Sequence, residues 1–157
     1  MKATINNETK EQRASYMLAY VILPPSILDY YELVDVQEKE DKMKRDPQET
    51  LWSDMTIHIY LDEKDNRTDE MRETLRPNGF TEETVVQDFP LRDRKVYLHI
   101  RRRRWLSEEG HNVILNVYPI MAEGTRLSDE FAAFLKGEDG YITGERADYW
   151  DILPRGW

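Results

Sequence analysis

The sequence predicts a single α+β domain, in which an antiparallel sheet is flanked by short helices. Residues 56–62 alternate apolar and polar side chains, the period of a half-buried strand. Segments 83–89 and 95–105 look like two strands on either side of a short connection, as in a hairpin, and the second of them alternates in the same way. Ser128 precedes a short amphipathic run and is a typical helix cap. A chain of 157 residues suits one such domain.

The N-terminal third is predicted to hold two short helices and a first strand. Residues 1–13 are polar and are expected to form a flexible N-terminus. The run 14–23 predicts a helix that is too apolar to be exposed, and it must end before Pro24, because proline has no N–H to donate. Pro25 opens a second short helix. Residues 33–37 are the predicted first strand.

A charge-dense loop separates this part from the next strand. Residues 37–50 contain nine charged side chains and are predicted to be a solvated loop or insertion. After the strand at 56–62, Thr68 is expected to cap a short helix that runs to Leu75. The helix should end at the turn-forming sequence 77–79, Pro-Asn-Gly.

The last predicted strands form a meander and are followed by one helix. The sequence predicts 95–105 to be one regular strand, which a turn at 108–110 joins to a third strand at 112–118. The helix that starts at Ser128 should stop at Gly137, which favours a left-handed conformation.

These features divide the chain into three parts. We expect a flexible N-terminus over residues 1–13, an α+β domain over 14–136 and an irregular C-terminal tail over 137–157.

The charge is distributed unevenly. The whole chain has 22 Lys and Arg against 31 Asp and Glu, a net charge of −9, which by itself argues against nucleic acid. Residues 91–105 nevertheless carry seven positive groups and one negative group. The positive groups are Arg92, Arg94, Lys95, Arg101, Arg102, Arg103 and Arg104. Because exposed charges are screened beyond ~8–10 Å, a polyanion near this segment would be affected mainly by the local charge.

These arginines and Trp105 are the strongest candidates for a functional site. Guanidinium groups bind phosphates through paired hydrogen bonds, and a neighbouring tryptophan can stack on an exposed base. Arginines on both faces of a strand are costly in a buried sheet, so this part of the strand should project beyond the core or lie at an edge. Two other interpretations stay open: an edge guarded against aggregation, and a set of ion pairs with the acidic majority.

Composition excludes several other classes. With no cysteine, disulfides and thiolate zinc sites are excluded. No apolar run reaches the ~18 residues of a membrane helix, and residues 1–10 do not resemble a secretory signal, so we expect a cytoplasmic protein with no membrane partner.

Catalytic and cofactor motifs are not evident. The chain has no P-loop, dinucleotide fingerprint or nucleophile elbow, so we expect no enzyme, no cofactor and no metal. Three histidines are too scattered for a zinc site, and three aspartates near strand ends are more typical of turns than of phosphoryl chemistry. These are His58, His99 and His111, and Asp62, Asp88 and Asp93. Residues 124–126, before the last helix, allow either a phosphate site or a simple loop and cap.

Two long segments resemble a family of bacterial mobile elements. VQDFPLRDRKVYLHIRRRRW and LSEEGHNVILNVYPIMAEGTRLSDEFAAFLK, with the earlier ILPPSILDYYELVDV and TIHIYLDEKD, look like the N-terminal region protein of Aon-type insertion-sequence transposases. The same stretch is more distantly similar to the zinc ribbon of the ISL-type transposases. Because this chain has no cysteine, its turn at 105–111 must hold its shape without metal.

The resemblance implies recognition of transposon-end DNA, with a separate catalytic transposase subunit as partner. The ribonuclease-H-like catalytic part is absent here, and in this family it lies in a following reading frame. The DNA-contact candidates carried over by position are Arg101, Arg102, Arg103, Arg104, Trp105, Thr125 and Arg126. The charge distribution adds Arg92, Arg94 and Lys95 as candidates.

Two hypotheses of different class follow. The first is a non-enzymatic DNA-binding module of an insertion-sequence transposase. The second is a protein-interaction module, in which the acidic surface or a tail containing Trp150 and Trp157 docks a partner chain. A stand-alone nuclease ranks third, and a homo-oligomer is compatible with each.

Overall fold

A computed structural model describes residues 9–41, 54–120 and 126–137 of the chain. Within them, seven strands form two sheets and four helices pack around or beside them. The predicted α+β class is confirmed. The strands are β1 (Tyr31–Glu40), β2 (Met55–Glu63), β3 (Arg76–Phe80), β4 (Thr84–Leu91), β5 (Arg94–Arg101), β6 (Arg103–Leu106) and β7 (Asn112–Val113). The helices are α1 (Lys10–Ile22), α2 (Ile27–Tyr30), α3 (Met71–Thr74) and α4 (Asp129–Lys136).

The main sheet has the strand order β1-β2-β5-β4. Its β1–β2 and β4–β5 pairs are antiparallel, and the central β2–β5 pair is parallel. The expected meander is therefore wrong in its connectivity, because β5 stays paired with β4 on one side and pairs in parallel with the distant β2 on the other, instead of with a third consecutive strand. This parallel register places His58 beside Tyr97 and Tyr60 beside His99.

The predicted strand 95–105 is in fact two strands in two sheets. The strand is interrupted at Arg102, and β6 then lies between β3 and β7 in a small second sheet. The expectation that this half of the strand projects beyond the core or lies at an edge is wrong, because β6 is central in the second sheet. β7 has only two residues, so the third strand expected over 112–118 is mostly absent.

The hydrophobic core lies on one face of the main sheet. The alternation in β2 buries Ile59 and Leu61, while β5 contributes Val96, Leu98 and Ile100 to the same face. The core is completed by Leu23, Ile27, Leu28, Tyr31, Val86 and Ile120. Burial of branched apolar side chains from adjacent strands is the main term that stabilises this layer.

Helix α1 differs from its prediction in start and in surroundings. It begins at Lys10, four residues before the expected start, because Thr9 and Gln12 form a reciprocal capping box. None of its residues is buried, which contradicts the expectation that this run is too apolar to be exposed. Pro24 follows the helix end at Leu23, as predicted. Within the described residues, no helix combines the length and apolarity needed to cross a membrane.

Three other local predictions need correction. α2 forms after Pro25 as expected, but β1 is longer than predicted and includes residues 37–40 of the expected loop. α3 is a single turn that Thr68 supports by accepting a hydrogen bond from the Met71 N–H. Residues 77–79 do not end a helix but lie in β3. The remainder of the predicted loop, 42–50, lies outside the described residues.

Helix α4 agrees closely with its prediction. The Ser128 hydroxyl accepts a hydrogen bond from the Phe131 N–H, and Gly137 ends the helix at φ 80°. Phe131 and Phe134 pack against Phe89 of β4. The segment before the helix lies along the free edge of β4 and exchanges backbone hydrogen bonds with Gln87. The predicted tail beyond Gly137 falls outside the described residues, and the domain boundaries stay predictions.

Candidate nucleic-acid interface

The structure divides the arginine-rich segment into two groups at opposite ends of β5. Arg92, Arg94 and Lys95 lie at the β4–β5 turn, and the run 101–104 lies where β5 passes into β6. Arg101 follows Lys95 by six residue steps of extended strand, a distance of about 20 Å. What is one cluster in the sequence is therefore two positive patches on the molecule.

The turn between β4 and β5 holds two residues in an unusual backbone conformation. Arg92 and Asp93 have φ values of 51° and 65°, in the left-handed region where a two-residue hairpin turn favours asparagine and glycine. Arg92 is exposed, and none of the described carboxylates lies within 4 Å of it. A non-glycine residue in this region costs about 1 kcal/mol, and such positions are more frequent at functional sites.

The other two cations of this group have different environments. Arg94 forms an ion pair with Glu38 of β1 at 2.8 Å. Lys95 is half-buried beside Thr56 and is without a carboxylate partner in the described part of the chain. At this end of β5, Arg92 and Lys95 are thus the cations that keep an uncompensated charge.

At the other end of β5, cations and rings alternate in a stack that we call the arginine–aromatic ladder. The guanidinium carbons of Arg101 and Arg103 lie 4.6 and 4.8 Å from the ring centre of Phe80. Arg103 also lies 6.0 Å from the Trp105 ring, and Arg67 covers that ring at 4.2 Å. Stacking of this kind holds a guanidinium plane in place and leaves its N–H edge available for a phosphate.

Strand β3 supplies both the ring and the main-chain acceptor that organise this ladder. The β3–β6 register shifts between Pro77 and Phe80, and Gly79 there has a φ of 74°. This irregularity directs the Asn78 carbonyl towards Arg104, whose Nε donates to it at 3.2 Å. Glycine is required at 79 because an L side chain rarely adopts this φ.

The side chains of Arg103 and Arg104 donate to main-chain carbonyl groups instead of carboxylates. The Nε of Arg103 donates to the main-chain oxygen of Glu63 at 2.9 Å. Neither guanidinium lies within 4 Å of a described carboxylate, and both side chains are half-buried. Because a guanidinium has five N–H donors and a carbonyl bond uses one, each arginine retains donors and its full charge.

Arg101 and Arg102 are more strongly committed to the protein itself. Arg101 donates two hydrogen bonds to Asp62, at 2.7 and 2.5 Å, although its side chain is 46% exposed. This paired contact with Asp62 raises the pKa of Arg101. Arg102 donates to the Leu115 carbonyl and to the Asn116 side chain, at 2.9 and 2.6 Å. Of the interpretations that the sequence left open, an ion pair with an acidic side chain therefore applies to Arg101.

A buried carboxyl group lies beneath the junction. Glu63 is 2% exposed, and its Oε1 accepts the main-chain N–H of Arg103 at 2.9 Å. Burial raises the pKa of Glu63, while the nearby charges of Arg102 and Arg103 act in the opposite direction. Burial and the Glu63 charge likewise raise the pKa of Tyr31 to about 12. Arg102 thus serves partly to stabilise buried acidic groups.

Trp105 does not have the surroundings that base stacking requires. It is 1% exposed, and its indole N–H donates to the Asn66 side chain at 2.9 Å. A base needs an open ring face, and here Arg67 covers the ring. In this conformation Trp105 anchors the second sheet instead of presenting a stacking surface.

Arg126, which precedes α4, is not brought to the ladder. Arg126 is exposed beside Gln87, where its main-chain oxygen accepts the Gln87 N–H at 2.8 Å. β4 begins at Thr84, opposite Ile100, so the junction at 101–104 lies beyond the end of that strand. Thr125 lies outside the described residues.

Sequence reasoning missed a histidine pair on the outer face of the main sheet. His58 Nδ1 lies 2.7 Å from His99 Nε2, and His99 Nδ1 lies 2.5 Å from Glu83 Oε1. His58 Nε2 is 2.9 Å from the Thr56 hydroxyl. Because Glu83 accepts from His99 Nδ1, the Nε2 of a neutral His99 is the acceptor and His58 Nδ1 donates to it.

The rings of this pair are stacked within the sheet. His58 stacks on Tyr97 and His99 stacks on Tyr60, with ring-centre distances of 5.4 and 4.4 Å. Burial, followed by the neighbouring His99 and Lys39, lowers the pKa of His58. Since these ring faces cover one another, the pair is not available for stacking on a base.

The three aspartates that the sequence offered as candidates do not lie together in the structure. Asp62 and Asp88 lie on opposite faces of the sheet, and Asp93 lies in the hairpin turn. Asp88 is 5% exposed, and burial raises its pKa. In residues 9–41, 54–120 and 126–137, no group of histidine and carboxylate side chains has the arrangement of a metal site.

The comparisons with known proteins add no further support. No protein-family model, curated protein or solved structure matches the chain. The resemblance to the N-terminal region protein of Aon-type transposases, which rests on the quoted segments, therefore stays a prediction.

Proposed function

We propose that the chain is a non-enzymatic, DNA-binding module of a bacterial insertion-sequence transposase, and that it contacts the ends of the element together with a separate catalytic subunit. The observation that carries this proposal is the arginine–aromatic ladder, where Arg103 and Arg104 keep their charges without a described carboxylate partner. The transposase part of the proposal rests on the sequence resemblance alone.

The ladder suits a phosphate backbone for three reasons. Arg103 is held between Phe80 and Trp105, so little side-chain entropy remains to be lost when it binds. Guanidinium edges form paired hydrogen bonds with phosphate oxygens. Each phosphate that is neutralised also releases counterions from DNA, which supplies much of the affinity.

The hairpin turn provides a second contact point. Arg92 and Lys95 lie about 20 Å from the junction, so both patches can reach the backbone of one duplex. The left-handed conformation of Arg92 is tolerated although glycine or asparagine would suit it better, which supports a role for its exposed charge.

The experiment removes charge while keeping the structural hydrogen bonds. Substituting Arg103→Gln and Arg104→Gln together leaves an amide donor near each carbonyl acceptor but removes two positive charges. We expect weaker binding to duplex DNA, measured by fluorescence anisotropy over a range of salt concentrations. The slope of log affinity against log salt should fall by about 0.9 for each phosphate that the variant no longer neutralises.

The matched control is Arg72→Gln, which removes one charge from an exposed arginine of α3. Its salt slope should equal that of the parent. Circular dichroism verifies that each variant is folded. An unchanged slope in the folded double variant would reject DNA binding through the ladder.

A second candidate function, a protein-interaction module, is favoured by the acidity of β1. This strand lies at an edge of the main sheet, and its side chains Glu32, Asp35 and Glu38 are exposed. An acidic edge attracts a basic partner segment and repels DNA. The substitutions E32Q and D35N discriminate the two functions, because they should leave DNA binding intact or strengthen it while weakening a basic partner. Trp150 and Trp157 lie outside the described residues.

A further inference from the structure

Helix α1 exposes large apolar side chains over most of its surface. Ala19 packs against the core cluster, whereas six larger neighbours are exposed. They are Tyr16 at 46%, Met17 at 55%, Leu18 at 60%, Tyr20 at 37%, Val21 at 69% and Ile22 at 38%. Together these fractions amount to roughly 500 Å² of apolar surface, which is in the ~300–600 Å² range of the largest apolar patch on a typical monomer, a patch that is often functional.

The helix is formed and fixed before any partner binds. Its first turn is closed by the capping box of Thr9 and Gln12, and its C-terminal end continues into Leu23, which is buried in the core. A partner would therefore bind a rigid surface and would not have to order a disordered segment.

The most exposed residues form one stripe. Ala14, Met17, Leu18 and Val21 follow the spacing i, i+3, i+4, i+7, which places them on one face of a helix. At 100° per residue, this stripe lies about 150° around the helix from Ala19, directly away from the core. We call these four residues the α1 stripe.

We propose that the α1 stripe is the interface of a symmetric homodimer, in which α1 of a second copy packs antiparallel against it. The stripe is complementary to itself. An axis between positions 17 and 18 places Met17 against Leu18 of the second copy and the small Ala14 against its large Val21. Interfaces between identical copies most often have this twofold symmetry.

Charge also favours a second copy. The chain carries −9, so most surfaces of two copies repel each other, but residues 14–28 contain no charged side chain. In the antiparallel arrangement, Lys10 and Arg13 approach the C-terminal end of the other helix, where the helix dipole is negative. No acidic pair has to meet across the stripe.

The area sets the expected strength. The four residues of the α1 stripe expose roughly 350 Å² in each copy, so two copies would bury about 700 Å² through the stripe itself, below the ~1,600 Å² of a standard interface, and we expect a weak, reversible dimer. Sedimentation velocity over about a hundredfold range of protein concentration measures this equilibrium.

The test uses single substitutions and a charge-pair rescue. Val21→Glu should weaken dimerisation at least about tenfold, because it buries an unpaired carboxylate in each half of the interface. Met17→Glu should do the same. Ser15→Glu adds the same charge to an exposed position of α1 outside the stripe and should leave the equilibrium unchanged.

The double variant A14K/V21E distinguishes this dimer from the binding of any other partner to the α1 stripe. In the antiparallel register each introduced lysine faces an introduced glutamate of the other copy, so dimerisation should be restored, and more strongly at low salt. A wild-type chain that stays monomeric at all concentrations overturns the proposal, as does a dimer that V21E leaves intact or A14K/V21E fails to restore. Binding of monomers to anionic phospholipid vesicles, abolished in V21E, would overturn it in favour of a membrane surface.

Discussion

Helices α1 and α4 have similar local signals and opposite surroundings. Thr9 and Ser128 each accept a hydrogen bond from the first turn of their helix, and each cap precedes an apolar run. Yet α4 buries Phe131, Ala132 and Phe134, whereas α1 buries none of its residues. Local signals therefore decide that a helix forms, and only its position on the fold decides whether its apolar side is covered.

The largest change in the free energy of unfolding should come from truncating a buried side chain of α4. Phe131→Ala removes a 1% exposed ring that contacts Phe89, so it should lower the free energy of unfolding by about 3–5 kcal/mol. Val21→Ala in α1 should change it by less than about 0.5 kcal/mol, because Val21 is 69% exposed. Urea denaturation at concentrations where the chain is monomeric measures both. Equal destabilisation would show that α1 is covered within one chain.

Removing the cap of each helix should change stability less than truncating Phe131 does, and the change should again be larger for α4 than for α1. The Ser128 hydroxyl accepts from Phe131 and donates to the buried Asp88 at 2.7 Å, so Ser128→Ala should cost about 1–2 kcal/mol of global stability. Thr9→Ala should fray the start of α1 without a comparable global effect. Amide hydrogen exchange resolves the two, since faster exchange should be confined to α1 in T9A. Faster exchange throughout the sheet of T9A would contradict this difference.

The smallest effect concerns acid dependence at the start of α4. Burial raises the pKa of Asp88, so the folded protein holds this proton more tightly than the unfolded chain does. Its contribution to stability is therefore complete below the ordinary aspartate pKa and is lost as the pH rises through the raised value. Asp88→Asn removes this dependence, so the variant should gain stability over the parent as the pH rises above the ordinary aspartate pKa of about 3.9. If the difference in stability between the variant and the parent does not change as the pH rises, the raised pKa of Asp88 is refuted.

His58 works in the opposite direction and must be separated from Asp88. Its lowered pKa means that the unfolded chain binds the proton more tightly, so stability contributed by neutral His58 is lost as the pH falls below the ordinary histidine value. Comparing each variant with the parent at every pH cancels this shared contribution.

The parts of the fold that depend on neighbouring residues could be predicted from the sequence. Alternation predicted β2, and Ser128 with Gly137 predicted both ends of α4. Pairing between distant strands could not be predicted in this way. The parallel β2–β5 register is encoded by no local pattern, and it alone brings His58 next to His99.

The candidate site shows the same limit. Composition identified the arginine-rich segment, because clustering of charge needs no knowledge of the fold. It could not show that Arg101 pairs with Asp62, that Trp105 is buried or that Phe80 separates two arginines, since each contact joins residues from different strands. The break at Arg102 was equally hidden, because four consecutive arginines show no change of hydrophobic period.

The parallel pairing of β2 with β5 also sets an order of assembly during synthesis. Asp62 emerges from the ribosome 39 residues before Arg101, its neighbour across the pair. Until then one side of β2 has no strand to pair with, while the tight turn at Arg92 and Asp93 allows β4 and β5 to close on each other first. The β1–β2 pair can therefore form from a shorter stretch of nascent chain than the sheet as a whole, which is complete only when β5 is available to pair with β2.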